Sequence, residues 1–112
     1  MNPREIPTHE WGPFLEKLGR EHRAWLATVD RAGRVEVREQ PLQSITAREG
    51  IDIRFDKKAI HVDEPRSVWV EETREGATQA LQIDDTAGGR VTLRFRVAVA
   101  PGALDGIAPA EL

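Results

Sequence analysis

From residue 24 onward apolar residues recur at every second position, and this period of two constrains the chain more than any other feature. Successive side chains of a strand point to opposite faces, so the pattern builds sheets with one dry and one wet face. The clearest run is "RVTLRFRV", with Val91, Leu93, Phe95 and Val97 inward and Thr92, Arg94 and Arg96 outward. "GIDIRFD" alternates through Ile51, Ile53 and Phe55, "AIHVD" through Ile60 and Val62, and "TQALQID" through Leu81 and Ile83. "AWLATVD" and "RVEVREQ" flank Arg31-Ala32-Gly33, a hairpin signal with a glycine ready for positive φ. Val35 and Val37 are expected on the dry face of the second run. "LQSITA", after Pro41, is the weakest strand signal. "SVWVEET" sets valines on one face and Trp69 on the other, so this strand is expected to be covered on both sides, with Trp69 beneath a helix or the tail.

The first quarter of the chain has a different period. Trp11, Phe14, Leu15, Leu18 and His22 form one stripe of a 3.6-residue repeat, which predicts an amphipathic helix. Thr8 is the expected N-cap, Glu10 suits the positive end of the helix dipole, and Arg20 and Arg23 suit the negative end. Gly12-Pro13 implies either a 3₁₀ first turn or a helix that begins at Pro13. The predicted fold is α+β: an N-terminal amphipathic helix packed on an antiparallel β-meander of about seven short strands, as a curled sheet or small barrel. Residues 1–97 form the expected single domain, and the Ala/Pro/Gly-rich stretch 98–112 an extended tail.

With 112 residues and 39% apolar content, one self-sufficient core is feasible. The absence of cysteine excludes disulfides and thiolate zinc sites. No apolar run reaches the ~20 residues of a membrane helix, and "MNPREIPTHE" lacks the basic-then-apolar layout of a signal peptide, so the expected compartment is the cytoplasm. A net charge of −3 argues against a nucleic-acid partner, which calls for a basic field. Arginine far outnumbers lysine, present only as Lys17, Lys57 and Lys58; with Asn2 the sole asparagine, this fits a GC-rich bacterial genome.

Candidate site residues are few. Trp25 and Trp69 are either core anchors or stacking platforms for a ring. His61 and Asp63 lie two apart on a strand, hence on one face, and could transfer protons or contribute to a metal site, although two ligands are too few. Arg94 and Arg96 either pair with acids across strands or line a face for an anion. Asp84-Asp85 ahead of Gly88-Gly89 reads as a turn rather than a cation loop. Ser44 and Ser67 lack a nucleophile-elbow context, and Gly88-Gly89 leads into a strand, unlike a phosphate loop.

The opening Ile6-Pro7, Trp11, Pro13, Phe14-Leu15 and His22-Arg23-Ala24-Trp25-Leu26, with the later "PLQSI" and "LRF", resembles a family of small bacterial domains of unknown function across residues 5–97. Gly12 between Trp11 and Pro13 departs from that pattern. The resemblance implies a domain boundary and no reaction, cofactor or catalytic residue.

These features lead to the expectation of a non-enzymatic domain, without cofactor, acting through another protein or a second copy of itself. Two alternatives remain at this level. One is a small Sm-like barrel that binds RNA; the other is a ligand binder or enzyme with a pocket between helix and sheet near Trp25 and Trp69.

Overall fold

The computed structural model describes residues 3–96. Val97, expected to face inward, and the tail 98–112 lie outside the described residues. Strand β1 (Arg4–Ile6) leads through a 3₁₀ turn (Thr8–Glu10) into helix α1 (Trp11–Glu21). Seven strands follow: β2 (Leu26–Arg31), β3 (Arg34–Arg48), β4 (Gly50–Phe55), β5 (Ala59–Val62), β6 (Pro65–Glu72), β7 (Thr78–Asp85) and β8 (Arg90–Phe95). All pair antiparallel in one sheet of order β1-β6-β7-β8-β2-β3-β4-β5. The sheet curls without closing, so the barrel option falls away and β1 and β5 are its two edges.

The eighth strand, β1, has only three residues and no readable alternation. It exists because Arg4, Glu5 and Ile6 find Val70, Trp69 and Val68 of β6 as partners. "LQSITA" is no separate strand: it is the far part of the 15-residue β3, which runs straight through Pro41. The first part of β3 pairs with β2 and the second, from Leu42, with β4. Pro41 sits at this change of partner, between two register irregularities, where a missing N–H is tolerated. The passage of one strand from one half-sheet to the other is what curls the sheet.

The dry face matches the alternation in most strands. Ile51, Ile53, Phe55, Ile60, Val62, Val68, Val70, Leu81, Ile83, Val91, Leu93 and Phe95 are all buried in one cluster. Val35 is the exception. Val29 pairs with Val37 but Asp30 with Val35, so β3 holds one residue more than β2 and bulges. The bulge turns Val35 to the outer face, 45% exposed, while Val37 stays inward. Ala32 (φ 52°) and Gly33 (φ 81°) close the hairpin in the left-handed pair of conformations that a two-residue connection needs.

Helix α1 lays Leu15 and Leu18 into the core, with Trp11 and Phe14 packed against it, as the stripe predicts. Its entry differs from the expected Thr8 cap. No side-chain cap bond forms; instead the Trp11 indole N–H donates to Ile6 O at 2.9 Å and ties the helix start to β1. The helix begins at Trp11, and Pro13 falls in its first turn, where backbone N–H groups have no helical partner anyway. Gly19 lets the helix reach β3: a Cβ there would lie 2.8 Å from Ile45 N.

Candidate functional site

The residue that ends α1 also builds the site. His22 caps the helix end twice over: its backbone N–H and its ring Nδ1 both donate to Leu18 O, at 3.0 and 2.9 Å. A carbonyl only accepts, so Nδ1 carries a proton. Ala24, at φ 72°, then turns the chain sharply. Ala24 N–H donates to Leu42 O and Leu42 N–H to Trp25 O, which seats Trp25 beside β3. The buried imidazole stacks on Phe95 at a centroid distance of 4.4 Å and meets the Trp25 ring edge-on at 4.6 Å. Trp25 and Phe95 are themselves perpendicular at 5.9 Å. Three rings, from the C-cap of α1, the link into β2, and β8, thus lock one another, with Trp25 left 37% exposed.

The exposed side of Trp25 borders a niche of about 250 Å³. Phe95, Ala77 and Thr78 line it with Trp25, and so do the charged Arg94, Arg96, Glu71 and Glu75. Neither arginine is a bare cation. Arg94 approaches Glu71 at 4.0 Å and Arg96 approaches Glu39 at 3.8 Å, so the charge around the niche is close to balanced. The niche lies at the end of the sheet, against the turn between β6 and β7, whereas the space between helix and sheet is filled core.

The other sequence candidates lie elsewhere. Trp69 is half-buried on the outer face rather than under the helix, because α1 packs on β3. Its indole N–H donates to Ser67 Oγ at 3.2 Å, and Ser67 donates to Asp84 at 3.2 Å. Arg90 grips the same carboxylate at 2.7 Å. The Arg90 hydrogen bond holds the Asp84 carboxyl below its ordinary value, Ser67 adds to this, and partial burial opposes it. Trp69 borders an open groove with Arg66 and Gln82, separate from the Trp25 niche.

His61 pairs with Asp52, not with Asp63. Strand β5 ends at Val62, so Asp63 leaves the shared face, while Asp52 of β4 stands directly opposite His61. Nδ1 and Oδ1 are 2.7 Å apart. Gly50 makes room for the ring: a Cβ there would lie 2.9 Å from His61 Cε1. Asp63 makes no bond to His61, but both border a recess with Arg31, Glu64 and Asp85. Among the described residues, no group of three or more His, Cys, Asp or Glu is placed to hold a metal ion. Of the six candidates, the structure therefore unites Trp25, Arg94 and Arg96 at one niche, brings His61 and Asp63 to the border of a separate recess, and leaves Trp69 apart from both.

Sequence reasoning missed Asp52, which only strand register reveals, and the Ser67–Asp84–Arg90 chain. The spacing of Ser67 and Trp69, two apart on one strand, was a readable signal for part of it. No family model, curated protein or solved structure matches the chain. Among the described residues, no helix is long and apolar enough to cross a membrane.

Proposed function

We propose that this domain is a non-enzymatic binding module that takes a single large apolar side chain of a protein partner in the Trp25 niche. The size of the niche carries the reading. At about 250 Å³ it falls short of the ~300–1,000 Å³ usual for small-molecule sites, yet it suits one anchoring side chain. Trp25 is a half-open indole already held by His22 and Phe95, so little conformational freedom is lost on contact. Pre-ordered aromatic residues of this kind dominate binding energy at protein interfaces. The acids beside Arg94 and Arg96 favour this reading over an RNA-binding barrel, because phosphate contacts call for uncompensated positive charge.

Selection of displayed peptides against the folded domain tests the proposal. The expected peptides share one large apolar or aromatic residue, and Trp25→Ala abolishes their binding while circular dichroism stays unchanged. Recovery of no peptides, or binding indifferent to Trp25→Ala, would overturn it.

A further inference from the structure

Strand β5 is a sheet edge, and its edge is occupied by an unusual guest. The Arg31 guanidinium, from the end of β2, donates to the backbone carbonyl of His61. The curl of β2-β3-β4-β5 brings the two together, although they are three strands apart in the sheet.

The hydrogen-bond phase of β5 follows from one turn. Phe55 N–H donates to Lys58 O at 2.7 Å, and bonded pairs recur at every second residue of an antiparallel ladder. Ile53/Ile60 and Ile51/Val62 are then the bonded pairs, and Ala59 and His61 turn their N–H and C=O groups away from β4. The direction of the Arg31 bond agrees with this phase. So does the closeness of the Asp52 and His61 side chains, since unbonded pairs bring their side chains nearest. The strand has no proline and no bulge, two of the devices that blunt an edge; it is short, at four residues, and Lys57-Lys58 precede it. Its core-facing residues, Ile60 and Val62, are both β-branched.

We propose that β5 is a latent two-fold interface for β5 of a second copy, and that Arg31 guards it by occupying His61 O. The sequence is self-complementary about Ile60. Antiparallel pairing centred there sets Ala59 against His61 twice, which uses the outward N–H and C=O groups of both residues. It also places Ile60 against Ile60 on the core side; carried beyond the strand into the bends that flank it, the same register sets Lys58 opposite Val62 and Lys57 opposite Asp63 at each end. A recess beside this edge, bordered by Arg31, Asp63, Glu64 and Asp85, has the acidic character that an incoming lysine matches. The partner strand and the Arg31 guanidinium compete for one carbonyl, so association rises when the guanidinium is removed.

Light scattering after gel filtration reads this directly. The wild-type chain elutes at the monomer mass, and Arg31→Ala shifts it to twice that mass. Arg31→Gln serves as the second variant, with circular dichroism to confirm the fold of each. Adding Lys57→Glu to Arg31→Ala returns the monomer by setting acid against acid, and adding Asp63→Lys as well restores the dimer. Trp25→Ala leaves all these masses unchanged, which separates this interface from the niche. A wild-type dimer, folded Arg31 variants that stay monomeric, or a dimer insensitive to Lys57→Glu would each overturn the proposal.

Discussion

His61 and Asp52 face each other across β4 and β5, with ring Nδ1 2.7 Å from Oδ1, and Gly50 supplies the space in which the imidazole lies. The pair is a cross-strand contact on a wet face, with both side chains more than one-third exposed. Screening by water limits what it contributes. Asp52→Ala is expected to cost less than about 1 kcal/mol in urea unfolding. A loss of several kcal/mol would show that the pair organises more than the edge strand.

Gly50 itself matters more. It sits at φ +87°, and an added Cβ would meet both Val62 O and the His61 ring. Gly50→Ala is therefore expected to lower stability by about 1–3 kcal/mol, read as a drop in the urea midpoint at unchanged slope. The same substitution at Gly76, which has positive φ but open space around it, is expected to cost less.

The contact of α1 with β3 depends on Gly19. Alanine there gains about 1 kcal/mol of helix propensity, but its Cβ would press on the Ile45 backbone, which cannot rotate away. Overpacking against a fixed strand costs about 1–3 kcal/mol, so Gly19→Ala is expected to destabilise on balance. Thermal unfolding of the variant checks the sign. A higher melting temperature would mean that the helix slides on the sheet.

Asp84 sets an acid-side dependence. Its carboxyl is held below the ordinary value mainly by the Arg90 hydrogen bond, with Ser67 assisting. A folded-state pKa lower than the unfolded one makes ionised Asp84 stabilising. That contribution is complete above the ordinary carboxylate range and is lost as pH falls through the lowered value. The stability gap between wild type and Asp84→Asn is thus expected to be widest near neutrality and to shrink in acid. Chemical denaturation of both proteins over a pH series measures it; a gap independent of pH would assign the effect to geometry rather than charge.

Trp25→Ala separates packing from binding. Its edge-on contacts with His22 and Phe95 are each worth about 0.5–1.5 kcal/mol, and the residue is already 37% exposed. The variant is expected to remain folded with a modest loss of stability. Global unfolding at room temperature would place Trp25 in the core and remove the niche as a binding surface.

Much of the fold was legible in the sequence. A period of two assigns faces within a strand, and it did so for Ile51, Ile53, Phe55, Ile60, Val62, Val91, Leu93 and Phe95. The stripe from Trp11 to His22 likewise marked the buried side of α1. Both patterns are local: they follow from where successive side chains point along one element. Of the candidate site, Trp25 and the two arginines were visible as residues, but their meeting was not.

What the tertiary structure decided was which strands are neighbours and in what register. That choice gave Arg4–Ile6 a partner in β6 and turned Val35 outward through one extra residue in β3. It also paired His61 with Asp52 instead of Asp63, and carried Arg31 to the edge of β5. Alternation cannot encode these outcomes, because the alternating strands all offer the same dry and wet faces to any neighbour. The physical selection comes from filling one shared core, and that is a property of all the strands together.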